Sequence, residues 1–169
     1  MKELSYIENL FLQADEAINR NALGEAKELL EEILAIDPTY GRAYNYLGWL
    51  YANKIIDFQK AKSLYRLGLK YTSDYPALYI NYGYLLIEMA EYDAALDLIG
   101  SAREIYGIDQ ATLTYQEARI AELLMDIKLA VKLYKLAGKQ TLDDNFMNYL
   151  NTEIKRVKRK TGLVMRFLL

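Results

Sequence analysis

Residues 40–71 read YGRAYNYLGWLYANKIIDFQKAKSLYRLGLKY, two helically periodic runs joined by a turn. Ala61, near the start of the second run, has counterparts along the chain. Ala26, Ala61, Ala95 and Ala130 lie 35, 34 and 35 residues apart, in the settings Leu23-Gly24-Glu25-Ala26, Phe58-Gln59-Lys60-Ala61, Tyr92-Asp93-Ala94-Ala95 and Ile127-Lys128-Leu129-Ala130. A fixed period of this length marks an array of helical hairpins. Such arrays bury one face of each unit and present another as a binding surface, so the pattern predicts a binder rather than a catalyst.

Outward from this stretch the same unit recurs. A first helix is predicted over about residues 4–20, with Ile7, Leu10, Phe11, Ala14, Ala17 and Ile18 on one stripe. Asn21 and Gly24 mark a turn, and a second helix follows to Ile36, with Leu30, Ile33 and Leu34 inward. Asp37-Pro38 ends it, because proline lacks the amide hydrogen a continuing helix needs. Asp74-Tyr75-Pro76 separates the second unit from a third, in which Pro76 is pre-set for the first helical turn. Gly107 closes that unit and Asp109 caps the next. A ninth helix is predicted from Asp143 or Asp144, with Phe146, Leu150, Ile154 and Val157 at helical spacing under a charged outer face, as a terminal lid requires. Gly162 is read as its end. The predicted organisation is one domain over about residues 1–161: repeats at 6–39, 40–75, 76–109 and 110–142, a capping helix at 143–161, and an apolar tail at 162–169.

Composition narrows the chemistry. The 169 residues include no cysteine and no histidine, which removes thiolate sites, disulfides, the commonest general base and the commonest metal ligand. The adjacent carboxylate pairs Glu31-Glu32 and Asp143-Asp144 point about 100° apart on a helix and do not converge on one proton or metal. Glu88, Glu91 and Asp93 read as solvated turn residues. No phosphate loop, nucleophile elbow or metal motif is present, so neither enzyme activity nor a cofactor is expected. The amino terminus lacks the pattern of a secretion signal and no apolar run reaches bilayer length, which makes the cytoplasm the expected compartment.

The second and third units resemble the tetratricopeptide repeat. That motif opens its first helix with a large aromatic followed by leucine and glycine, and places small residues where its two helices cross. The matching residues are Tyr44, Leu47, Gly48, Tyr51, Phe58, Ala61, Tyr65 and Gly68 in one unit, and Tyr79, Tyr82, Gly83, Leu86, Tyr92, Ala95, Ile99 and Ala102 in the next. The first unit keeps Leu10, Ala14, Leu23, Ala26, Leu30 and Pro38. The fourth keeps Ala118, Ala130, Tyr134 and Ala137, but has Thr114 and Glu117 where large apolar residues are usual. The resemblance covers about residues 6–140 and implies an all-α, right-handed superhelical array with a C-terminal capping helix.

It also implies a concave groove lined by the first helix of each repeat, which would hold an extended peptide or a partner helix. The residues expected to face it are Phe11, Asp15 and Ile18; Arg42, Asn45, Tyr46, Trp49 and Asn53; Ile80, Asn81, Tyr84 and Glu88; and Tyr115, Gln116 and Arg119. Of these, Asn45, Trp49, Asn81, Tyr84, Tyr115 and Arg119 form the predicted contact surface. Asparagine offers donor and acceptor to a peptide backbone, and a neighbouring aromatic supplies an apolar anchor. Packing of the same aromatics against neighbouring repeats or the final helix is the alternative. A subclass of these repeats grips chaperone carboxylates with basic residues. Its clamp positions here carry Phe11, Asp15, Asn45, Ala77 and Asn81, or, one repeat on, Asn45, Trp49, Asn81, Thr112 and Gln116, none of them basic, which argues against that specificity.

Charge and the tail leave two further features. From Glu153 onward six basic residues face one acid, a balance of +5, while the rest of the chain carries −7. The run Lys155-Arg156-Val157-Lys158-Arg159-Lys160 suits an anionic surface, yet it also complements a helix C-terminus, and no aromatic platform for bases accompanies it. Nucleic acid and membrane are therefore not the expected partners. The apolar tail either folds back onto the array, or docks on a partner, or docks on a second copy, giving a homodimer. The expected role is a non-enzymatic protein-interaction scaffold or adaptor, with a small chaperone for a secretion or assembly client, or a self-assembling module using the tail, as alternatives.

Overall fold

The computed structural model describes the backbone of residues 2–167 and the side chains of residues 5–160. Among these residues the chain forms nine α-helices and no strand: α1 (Lys2–Asn19), α2 (Leu23–Ile36), α3 (Gly41–Leu50), α4 (Phe58–Tyr71), α5 (Pro76–Glu88), α6 (Tyr92–Ala102), α7 (Gln110–Leu123), α8 (Ile127–Gln140) and α9 (Asp144–Phe167). A π-helical turn, Tyr51–Ile55, prolongs α3. The chain divides into two compact units, Met1–Leu85 and Leu86–Leu169.

Each helical hairpin turns on one left-handed residue. Asn21, Ile56, Ala90 and Met125 have φ of 61°, 62°, 57° and 63°, and each stands five residues before the periodic alanine. The amide of Ala22 reaches back to the Ala17 carbonyl at 2.8 Å, Glu91 to Leu86 at 2.9 Å and Asp126 to Ala121 at 2.9 Å. This is the Schellman closure, which satisfies the last carbonyls of the first helix. At the second hairpin Asp57 instead reaches Tyr51, one residue further back, at 2.9 Å. The spacing explains it: Gly48 to Ala61 is 13 residues, whereas Ala14–Ala26, Gly83–Ala95 and Ala118–Ala130 are 12. The extra residue is absorbed as the π turn, the usual fate of a single insertion in a helix.

In the first unit, Ile7, Leu10, Ala14 and Ala17 of α1 pack on Ala26, Leu30 and Ile33 of α2, and Ala43, Leu47 and Leu50 of α3 complete the layer. Gly48 lets α3 meet α4, since a Cβ there would lie 2.7 Å from the ring of Tyr65. That ring is fully buried and stacks on Tyr82 at 5.6 Å. The aromatics that open α3 and α5 have a specific task. Tyr44 donates to the Pro38 carbonyl at 2.9 Å, and Tyr79 to the Ser73 carbonyl at 2.8 Å, each six residues back. A buried ring with a tied hydroxyl fixes the entry of the chain into the helix.

In the second unit, Tyr115, Ala118 and Ala121 of α7, Ala130, Tyr134 and Ala137 of α8, and Leu150 and Val157 of α9 form one cluster, with Phe146 and Ile154 against it. Asp109 accepts from the Ala111 amide and Asp126 from the Leu129 amide, capping α7 and α8. Asp143 accepts from Asn145 and Phe146 at the head of α9. The predicted stop at Gly162 is not where the helix ends. The backbone stays helical to Phe167. Glycine ends a helix by adopting the left-handed conformation; within a helix it costs only about 1 kcal/mol relative to alanine. The side chains of the apolar tail lie outside the described residues.

Candidate functional site

In the first unit a cavity of about 270 Å³ is lined by Ile18 of α1, Asn45, Tyr46 and Trp49 of α3, Tyr75 before α5, and Ala77 and Asn81 of α5. Its walls are mostly apolar, and its polar groups converge from two helices. Asn81 donates its side-chain amide to Oδ1 of Asn45 at 3.0 Å. The pair leaves the amide nitrogen of Asn45, a donor, and the carbonyl oxygen of Asn81, an acceptor, outside the bond. Asn45 is only 3% exposed, so its orientation is held by packing as well as by the bond.

Trp49 is half-buried, one turn on from Asn45. It packs against the core of the first unit on one side and lines the cavity on the other. Lys54, in the π turn, stands 5.6 Å from the centre of its ring, and Asn53 donates to its backbone carbonyl at 3.0 Å. The π turn therefore places a cation on the indole, a contact of about 0.5–1 kcal/mol at an exposed site.

Tyr46 is held by α1. Its hydroxyl donates to Asp15 at 3.1 Å and its ring meets Phe11 edge-on at 4.7 Å. Burial and the Asp15 carboxylate push its hydroxyl up to about 12, so it stays a neutral donor throughout the physiological range. Beside it, Tyr40 donates to Glu8 at 3.0 Å, and the Arg42 guanidinium lies 4.2 Å from the Phe11 ring centre. Phe11, expected to face a groove, is instead core: it is 4% exposed and covered by Arg42, Tyr40 and Tyr46.

The six predicted contact residues separate. Asn45, Trp49 and Asn81 line the cavity together. Tyr84, one turn beyond Asn81, is exposed and outside its lining. Tyr115 and Arg119 belong to the second unit. Tyr115 is buried, its ring packed on Tyr134, Phe146 and Tyr149 and its hydroxyl 2.9 Å from that of Tyr149. It is core, because α9 supplies the aromatic surface that covers it. Gln116 is likewise fully buried.

Arg119 borders a charged cavity of about 310 Å³ with Glu122, Leu123, Tyr149, Glu153, Arg156 and Lys160. There Arg156 grips Glu122 with both nitrogens, at 2.6 and 2.7 Å. Lys160 and Tyr134 also donate to Glu122, and Glu153 pairs with Arg156 at 2.6 Å. Burial opposes the Glu122 charge, but Arg156, Lys160 and Tyr134 hold its carboxyl down at about 2. Two members of the basic run thus serve to fasten α9 to α7.

Sequence reading missed Tyr75 as a cavity wall. Its position just before Pro76, a place that favours extended backbone, was the available signal. The Glu122 network was not legible, since its basic partners lie 34 and 38 residues away on α9.

No protein-family model matches the chain, and no curated protein matches it. Solved structures do. Yeast Tom70 superposes with a TM-score of 0.76 over 92% of this chain at 17% identity, and the match covers 34% of the Tom70 chain, about a third of its length. TTC0263, a thermophilic tetratricopeptide-repeat protein of Thermus thermophilus, gives 0.72 over 89% of this chain and 80% of its own, also at 17% identity. YrrB, described as a tetratricopeptide-repeat protein with an unusual peptide-binding site, gives 0.66 over 94% and 84% at 17% identity. The chain has the tetratricopeptide-repeat fold.

Proposed function

We propose that this protein is a non-enzymatic interaction scaffold that takes an extended or helical peptide segment of a protein partner against Asn45, Trp49 and Asn81. One observation carries the reading: the cavity that joins a paired asparagine donor and acceptor to an indole and two tyrosine rings. A peptide backbone in that cavity would meet the free amide groups, while an apolar side chain would bury against Trp49, Tyr46 and Ile18. Aromatic anchors of this kind dominate interface energies where water is excluded. The likeness in fold to YrrB supports a peptide ligand, and Tyr84 extends the surface one turn further along α5.

Peptide display against the intact chain tests this. Enrichment of an apolar motif that is lost when the same library is panned on Trp49→Ala supports the reading. Enrichment that survives this substitution and Asn81→Ala contradicts it.

A further inference from the structure

Charge is distributed along this chain as a mirror. Residues 2–37 carry nine acids and three bases, and residues 127–160 carry nine bases and three acids, so the two segments hold −6 and +6 within a chain of net charge −2. Four of those nine bases lie on α8 and four of those nine acids on α2, in each case along an exposed helix face. On α8, Lys128, Lys132, Lys135 and Lys139 recur at i, i+4, i+7 and i+11, all exposed, in a stripe about 16 Å long. They flank Val131 and Leu136 in a shallow depression of about 460 Å³. The helix has no acid, and none of the four lysines has an ion pair among the described residues.

On α2, Glu25, Glu28 and Glu32 recur at i, i+3 and i+7, with Glu31 beside them, all exposed. Leu29 lies on the same stripe, as Val131 and Leu136 do between the lysines. The local partners of these acids are weak competitors. Arg20–Glu25 and Lys27–Glu31 are exposed pairs, and Tyr6 donates a neutral hydroxyl to Glu32. Exposed pairs of this kind contribute little and exchange readily.

We infer that the α8 lysine face is an interaction surface whose partner is the α2 carboxylate face of a second copy of this chain. The faces match in charge, in helical spacing and in having apolar residues within the charged stripe. With a net charge of only −2, long-range repulsion between copies is small. The contact is heterologous, one patch meeting a different patch, and it uses no residue of the Trp49 cavity or of the apolar tail.

Sedimentation velocity of the full chain in about 50 mM and about 500 mM salt tests the inference, because screening shortens the reach of exposed charges from over 10 Å to under 5 Å. The expected result is association in low salt that dissociates in high salt. Lys132→Glu with Lys135→Glu, or Glu28→Lys with Glu32→Lys, should each yield monomers. Mixing the two double variants should restore a complex, because the reversed faces again match. All four sites are exposed, so circular dichroism should be unchanged. A chain monomeric at both salts overturns the inference, as does association that ignores the reversals. Association lost only on deleting residues 163–169 assigns self-pairing to the tail instead. A monomer that binds poly-glutamate through these lysines makes the occupant an acidic partner, and equally overturns the second copy.

Discussion

Asn81 donates to Asn45 across 3.0 Å between α5 and α3. The two residues occupy nearly the same place in successive repeats, 36 positions apart, so the repeat that builds the fold also builds the pair. An asparagine 3% exposed is kept in register by that bond, which is worth about 1 kcal/mol net. Asn81→Leu should therefore reduce stability by about 1–2 kcal/mol, because it leaves a buried amide without its partner. Urea titration of the two forms measures the difference.

Gly48 is a point of close approach between α3 and α4. A methyl there would lie 2.7 Å from the fully buried Tyr65 ring, which cannot swing into solvent. Gly48→Ala should destabilise the first unit by about 1–2 kcal/mol, overpacking outweighing the gain in helix propensity. Gly100→Ala is the control. It sits in α6 with open space around it, and should raise stability by about 0.5–1 kcal/mol.

Ile56 holds a left-handed conformation that a β-branched side chain disfavours, at φ 62° and 63% exposed. Ile56→Gly should stabilise the second hairpin by about 1 kcal/mol, since little packing is lost and the backbone strain is relieved. Ala90→Gly should act in the same direction at the third hairpin, where φ is 57°. Thermal melts of each variant read the effect as a rise of a few degrees.

Glu122 ties the last three helices together, and its pairing is pH-dependent with a definite sign. Its carboxyl is held at about 2, below the ordinary value of 4.5. Its contribution is therefore complete above pH 4.5 and is lost as pH falls towards 2. Glu122→Gln should cost about 2 kcal/mol at neutral pH, allowing for the solvent exposure of Arg156 and Lys160. It should also flatten the acid-unfolding profile between pH 5 and 2, about the range bounded by the two pKa values.

What the sequence made legible follows its repeat. The alanine period matches the four hairpins, and Gly48 could be read because a small residue recurs where the two helices of each repeat cross; Asn45, Trp49 and Asn81 share one cavity as positions on the first helices of successive repeats. Residues whose partners come from outside the repeat were misplaced. Phe11 looked like a groove residue until Arg42 and Tyr40 covered it, and Tyr115 until α9 did. Both are aromatics at groove-facing positions, and periodicity carries no information about which cross-helix neighbour closes over them. The π turn was readable in principle, from 13 residues between Gly48 and Ala61 against 12 elsewhere. Gly162 misled because glycine permits a helix end without requiring one.

Trp49, the only tryptophan, makes the most direct test internal to the protein. Titrating a display-selected apolar peptide into the intact chain, and following the indole emission, reports on the cavity itself. Peptide bound in the cavity should give a saturable blue shift, and a Kd weakened about tenfold or more by Asn81→Ala, the loss of one buried hydrogen-bond group. Saturable binding with no change in Trp49 emission and no effect of Asn81→Ala would contradict binding there, and would place the peptide elsewhere on the chain.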